Sequence, residues 1–290
     1  MTKCDVAHSF LEDEDMRTSK RLLAAVAAAV TALAGPGLAV AGTASAGRSV
    51  PHWAPAATAS IHPGVVVTIA DVKCIAGFVM TDGTRVFLAV PATCSGVGGG
   101  AATNGCLEAQ VPAGVPVTIK GARHEGTLVY SSFTRMQLHG ETSENKCANN
   151  SLSLVRLDRR DIKRTNPSVP VVGGPTGRFR GATATPDQLT VLLAAAPTAA
   201  QAIDTTAGGW AHSMFVDGTV NAAMVGSPAL TDDGKALGMV TVVPFEGGPG
   251  QTVVSDLYRE LRELRHSQRF AEVRLAKGTK PYVPPAFVRG

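Results

Sequence analysis

The chain has 290 residues, 44% of them hydrophobic, 17% charged and 5% aromatic, with 31 Gly and 18 Pro. That length allows one or two domains with a sizeable core, and the composition is globular. The formal net charge of +4 is a mild excess spread along the chain, and without a Lys/Arg-rich block interleaved with aromatics it argues against a nucleic-acid partner.

Residues 1–46 read as a leader. From Met16, the cations Arg17, Lys20 and Arg21 precede an apolar run from Leu22 to Leu33, and Ala44-Ser45-Ala46 is a small-residue cleavage site. The mature chain then begins at Gly47 and has no membrane span. A retained anchor is the alternative, but the apolar stretch before Gly35-Pro36-Gly37 is short for a spanning helix. Residues 1–15 are acidic ("LEDED") and sit awkwardly before a signal, so translation starts at Met1 or at Met16. The leader holds four Lys/Arg and five Asp/Glu, so its loss moves the net charge from +4 to +5. Of five Cys, Cys4 leaves with it; Cys74, Cys94, Cys106 and Cys147 remain. An even four fits an oxidising, extracytoplasmic compartment and allows three pairings. With no CxxC spacing and no His cluster beside the cysteines, no metal or other cofactor is expected.

Residues 47–63 are Pro- and Ala-rich and read as an extended lead-in to a main domain over 64–271. "GVVVTIADVKCIAGFVMTDGTRVFLAV" alternates or runs apolar in short bursts, with "TDG" as a hairpin turn. A glycine-rich loop follows over 95–105. "VPVTIKG", "GTLVYSSF" and "SLSLVRLD" are further strands. A linker near 164–177 separates them from "LTVLLAAA", "HSMFV", "SPALT" and "ALGMVTVV". One helix stands out, in "VSDLYRELRELRHSQRF", with Val254, Leu257, Leu261 and Leu264 on one face. Ser255 is its expected N-cap, Asp256 suits its first turn, and its arginines read as a solvated face. Residues 272–290 form a C-terminal tail. Short strands in two halves, closed by a helix, predict an all-β fold of two packed barrels or sandwiches.

Three segments carry a resemblance. "CIAGFVMTDGTRVFLAVPATC" (74–94) resembles the segment of trypsin-like serine proteases that ends in "TAGHC" or "TAAHC". "CANNSLSLVRLD" (147–158) resembles their "NDFALVRLD", and "NAAMVGSPALTDDGKALGMVTV" (221–242) resembles their nucleophile loop and the strand after it. "NPSVPVVGGPTG" and "GGWAHSMF" resemble actinobacterial secreted members. The resemblance spans roughly 64–270. It implies a chymotrypsin-like double six-stranded β-barrel with a C-terminal α-helix and a site between the barrels. It also implies a Cys74–Cys94 disulfide, which leaves Cys106–Cys147.

Carried over residue by residue, the chemistry is missing. A triad needs a nucleophile, a general base and a carboxylate that orients the base. This chain has Thr93 at the His position, Ser151 at the Asp position and Val225 at the Ser position. Met224 replaces the Asp before the nucleophile. The oxyanion-hole donors fall on the backbone of Ala223 and Val225, with Ala223 in place of Gly. Thr219 falls near the floor of the specificity pocket, and Thr241 on the strand that borders the substrate groove. Ser227, two residues past Val225, is too far along an extended chain to share the same base. His212 reads as a structural histidine and Asp232-Asp233 as a turn. The expected function is a secreted, non-catalytic homologue that binds a peptide or protein through the inter-barrel cleft. The alternative is an active secreted serine-type hydrolase with a relocated or unconventional site.

Overall fold

A computed structural model describes residues 51–97, 104–185, 187–193, 196–242 and 249–285, apart from the side chains of Thr219 and Pro249. The expected leader, with its expected cleavage site at Ala46, and Cys4 lie outside the described residues. In the first half the strands are β1 (Val66–Ile69), β2 (Val72–Ile75), β3 (Phe78–Thr81), β4 (Val86–Val90), β5 (Pro116–Ile119), β6 (Gly126–Ser131) and β7 (Ser153–Arg156). Two short helices, α1 (Ser132–Leu138) and α2 (Glu144–Asn149), lie between β6 and β7. The second half has β8 (Gly177–Arg178), β9 (Gln188–Leu193), β10 (Ala196–Thr206), β11 (Ala211–Thr219), β12 (Pro228–Thr231), β13 (Lys235–Val242) and β14 (Pro249–Ser255). Helix α3 (Leu257–Leu264) and β15 (Arg274–Leu275) follow.

The β3–β4 hairpin shows how the sequence dictates the turn. Gly83 adopts φ +97°, and the Asp82 carboxylate accepts the N–H groups of Thr84 and Arg85 at 2.9 and 2.7 Å. Burial works against the charged Asp82, but these bonds and the Arg85 guanidinium outweigh it and hold the carboxyl at about 2.

The first-half strands, joined at one edge by β15, form a curled antiparallel sheet in the order β15-β3-β4-β7-β6-β5-β1-β2. In the second half, β12-β9-β10-β11-β14-β13 closes on itself through β12–β13, a six-stranded barrel, while β8 runs parallel to the start of β13. Closure removes the exposed edges an open sheet of short strands would leave. A mostly β chain with a closed six-stranded barrel, a curled half-barrel sheet and a helix near its C-terminus is the kind of architecture expected of the sequence.

Each half has its own core: Val67, Ile69, Leu88 and Val155 in the first, Val191, Met214, Leu237 and Val254 in the second. A third cluster lies between them. Leu257, Leu261 and Leu264 of α3 pack there with Phe78, Phe87, Leu154 and Met239, so the helix locks the two sheets together. The lead-in packs on the linker, where Ala54 N–H donates to Thr165 at 2.9 Å.

Two details differ from the expectation. Ser255 is not the cap of α3. It is still paired with Ala211 in the ladder of β14 and β11, and so is Val254 with His212. The chain therefore stays extended until Asp256, whose carboxylate caps the helix by accepting Arg259 N–H at 2.7 Å. The helix ends at Leu264. Strand β10, "APTAAQAIDTT", has no run of β-branched residues to announce it and is held by pairing with β9 and β11 on both sides.

The disulfides are Cys74–Cys94 and Cys106–Cys147. Their sequence separations of 20 and 41 residues correspond to roughly 3 and 4 kcal/mol of unfolded-state restriction. Replacing either pair by Ser should lower the free energy of urea unfolding by about those amounts. An unchanged midpoint in either variant contradicts that assignment of stability.

Candidate functional site

Thr93, Ser151 and Val225 are brought into one neighbourhood by three links. Thr93 sits in a tight turn, Ala92–Ser95, that Cys94 ties to Cys74 at the end of β2. The next residue, Ile75, donates its N–H to the carbonyl of Val225 at 2.9 Å. Ser151 Oγ accepts the N–H of Ala92, the first residue of the Thr93 turn, at 3.0 Å.

None of the three groups is set up for proton transfer or attack. The Thr93 hydroxyl is buried and has no hydrogen-bond partner among the described residues. Ser151 is fully buried, and its hydroxyl holds a backbone turn in place instead of facing a base. The Val225 isopropyl group packs against the first core. Ser227 is buried too, and its hydroxyl has no partner among the described residues, so no base stands beside it.

The turn bearing Val225 closes on itself. Asn221 caps it, its side-chain oxygen accepting the Ala223 N–H at 3.0 Å. The Val225 N–H donates to the carbonyl of Ala222 at 3.2 Å, and the Met224 N–H to that of Asn221 at 2.9 Å. Both donors assigned to an oxyanion hole are thus engaged within the turn. Gly226 fixes its exit with φ +98°, and a Cβ there would lie 1.9 Å from the carbonyl oxygen of Ile75, so only glycine fits. Met224 packs against the second core. Thr219 ends β11, but its side chain lies outside the described residues. Thr241 Oγ1 donates to the carbonyl of Val253 at 3.4 Å.

The site holds a group the sequence reading did not single out. Glu260 of α3 is fully buried and accepts the Ser151 N–H at 3.1 Å. Burial pushes its carboxyl up to about 8, so it is largely neutral at pH 7. Its position between Leu257 and Leu261, on the apolar face, was the available signal. His212 is completely buried, with Nε2 2.9 Å from Asp256 Oδ2 and Nδ1 3.3 Å from Thr205 Oγ1. Asp233 lies in the β12–β13 turn, where it accepts from Thr231 Oγ1 at 2.5 Å.

Among the described residues, no group of three His, Cys, Asp or Glu is placed to hold a metal ion, and no helix is long and apolar enough to cross a membrane.

No family model and no curated protein matches the chain. Solved structures similar to it include Thermobifida fusca protease A, at 15% identity over 75% of this chain and 99% of that one, with a TM-score of 0.46. A Nocardiopsis protease is 14% identical over 74% of this chain and 98% of that one, with a TM-score of 0.45. A Cellulomonas bogoriensis chymotrypsin is 15% identical over 75% and 98%, with a TM-score of 0.45.

Proposed function

We propose that this is an extracytoplasmic protein with a protease-like body that binds an extended polypeptide in the inter-barrel cleft without cutting it. The observation that carries the reading is the Asn221–Gly226 turn: a side chain that cannot attack, on a backbone whose N–H groups are already spent within the loop. Hydrolysis needs both a nucleophile and donors free to meet the developing oxyanion. The two disulfides support an oxidising compartment.

Peptide binding is supported by the end of β13. The strand is flanked by β12 through Met239, and Val240 closes that side by bonding Gly226 and Ser227. Beyond Val240, Thr241 and Val242 keep β14 on one side, and no strand pairs with the other side among the described residues. An open edge of that kind accepts an added strand through main-chain bonds, which need no triad. Val242, 49% exposed, offers an apolar contact beside it.

A relocated hydrolase is the second reading, because Thr205, His212 and Asp256 form a hydroxyl–imidazole–carboxylate chain. Against it, Thr205 Oγ1 already accepts the Thr183 N–H at 2.9 Å, and the imidazole is completely buried. Incubating the chain with a peptide library and measuring both retention and cleavage separates the readings. Retention without cleavage, lost in Thr241→Arg, is the expected result. Cleavage that Thr205→Val abolishes supports the relocated site, and retention indifferent to Thr241→Arg moves binding to another surface.

A further inference from the structure

Cations that the sequence scatters over a hundred positions converge where β8 runs beside β13. A surface pocket of about 600 Å³ there is lined by Arg178, Phe179, Arg180, Lys235, Arg274 and Lys277. The convergence is topological. Parallel pairing sets Lys235 beside Gly177 and Ala236 beside Arg178, while Arg274 arrives on β15 from the other sheet.

Helix α3 adds a flank. The ring of Tyr258 meets three guanidinium groups: Arg178 and Arg180 at 5.7 Å each and Arg262 at 5.9 Å from its centroid. A phenol ring attracts cations through its quadrupole, so Tyr258 gathers charges that otherwise repel. The repulsion is felt. Burial first, then the neighbouring charges of Arg265 and Arg180, hold the Arg178 guanidinium below its ordinary range, and only Tyr258 acts the other way. Lys235 is engaged by Asp233 at 2.5 Å. Half-buried Arg178 beside exposed Arg180 presents two planar forks of N–H donors at one mouth.

We propose that this pocket binds a compact, multiply phosphorylated anion, gripped by the forks of Arg178 and Arg180 and ringed by Lys235, Arg274 and Lys277, with Phe179 as an apolar wall. Guanidinium forks match phosphoryl oxygens two at a time, and cations approaching from two sheets suit an anion carrying charge in several directions. A single carboxylate would answer one of them. The cations gather around one surface pocket, which favours a small anion over a duplex, since a duplex would need a line of cations at phosphate spacing. None of these residues belongs to the Asn221–Gly226 turn or to the Thr241–Val242 end of β13, so the site stands whether or not the peptide reading does.

Calorimetric titration of the whole chain at low salt, with inorganic tripolyphosphate as the probe, tests the assignment. Saturable binding is expected, weakened roughly 30-fold or more in Arg178→Gln/Arg180→Gln and unchanged in Lys73→Gln/Lys120→Gln on the first sheet. The double arginine variant relieves repulsion, so its thermal midpoint should not fall. If it does not fold, the exposed pair Lys235→Gln/Lys277→Gln takes its place, with a loss of several-fold expected. No saturable binding, or binding indifferent to the pocket variants, overturns the proposal. Citrate binding as tightly shows a generic anion sink and overturns the phosphate assignment. A 12-base-pair duplex binding more tightly, with the same losses, replaces the compact ligand by nucleic acid.

Discussion

Glu260→Gln should make the protein markedly more stable than the native chain above pH 8 and leave it little changed at pH 5. The native carboxyl is raised from an ordinary 4.5 to about 8 by full burial, with the Asp256 charge adding to the shift and the Ser151 N–H opposing it. A folded-state value above the unfolded one means the folded chain holds a proton the unfolded chain releases. The stabilisation tied to that proton is complete below about 4.5, declines as the pH rises, and is gone once the pH passes about 8. The span corresponds to roughly 5 kcal/mol at most, at about 1.4 kcal/mol per unit. In a chain of this size that is on the order of 10–20 °C in thermal midpoint. Gln keeps an acceptor for the Ser151 N–H and cannot ionise. Thermal midpoints of both proteins from pH 5 to 9.5 give the answer by difference, which cancels groups such as Asp82 that titrate in acid. Parallel curves would mean that Glu260 is ionised in the folded state, or reaches water.

The same carboxylate marks where the sequence stopped being legible. The hairpin at "TDG" and the alternating runs were readable because each is a local device, a turn glycine and a period of two, whereas the Cys74–Cys94 pairing came only from the resemblance to trypsin-like proteases. Glu260 was not, because a charged residue in "LYRELREL" reads as solvent-facing unless its place between two core leucines is weighed. Asp256 was taken for a first-turn residue when it is the cap, since only the length of the β14 ladder decides how far the chain stays extended. The residues that the resemblance assigns to triad positions, Thr93, Ser151 and Val225, could be read directly. The internal bonds of the turn could not, although Asn221 one residue before a tight turn is a capping signal in its own right. The basic pocket was invisible for another reason. Arg178 and Lys277 are distant in sequence, and a parallel pairing plus a strand from the other sheet bring them together.

Restoring Thr93→His, Ser151→Asp and Val225→Ser together should leave peptide hydrolysis at background, some 10⁴-fold or more below a working triad. Three features of this backbone argue for that outcome. The Ala223 N–H is held by Asn221 and the Val225 N–H by Ala222, so a serine at 225 attacks without donors for its oxyanion. A carboxylate at 151 enters a fully buried position next to Glu260, where the one donor seen at its side chain is the Ala92 N–H. Burial with so few donors pushes up the pKa of the carboxyl introduced by Ser151→Asp and keeps it protonated, and a neutral carboxyl cannot stabilise an imidazolium. The side chain at 225 also packs on the first core, so a hydroxyl there starts from an apolar contact. Productive geometry tolerates errors of only about 0.5 Å, and three side chains do not move a turn. Adding Asn221→Gly, Ala223→Gly and Met224→Asp removes the cap that ties up the first donor and frees the turn to reopen. Activity should therefore emerge in the extended series and not in the three-residue variant. Labelling by an active-serine probe, read beside hydrolysis of a chromogenic peptide, distinguishes an unreactive serine from a reactive one without an oxyanion hole. Strong hydrolysis by the three-residue variant alone would show that the turn opens readily and that only the side chains were lost.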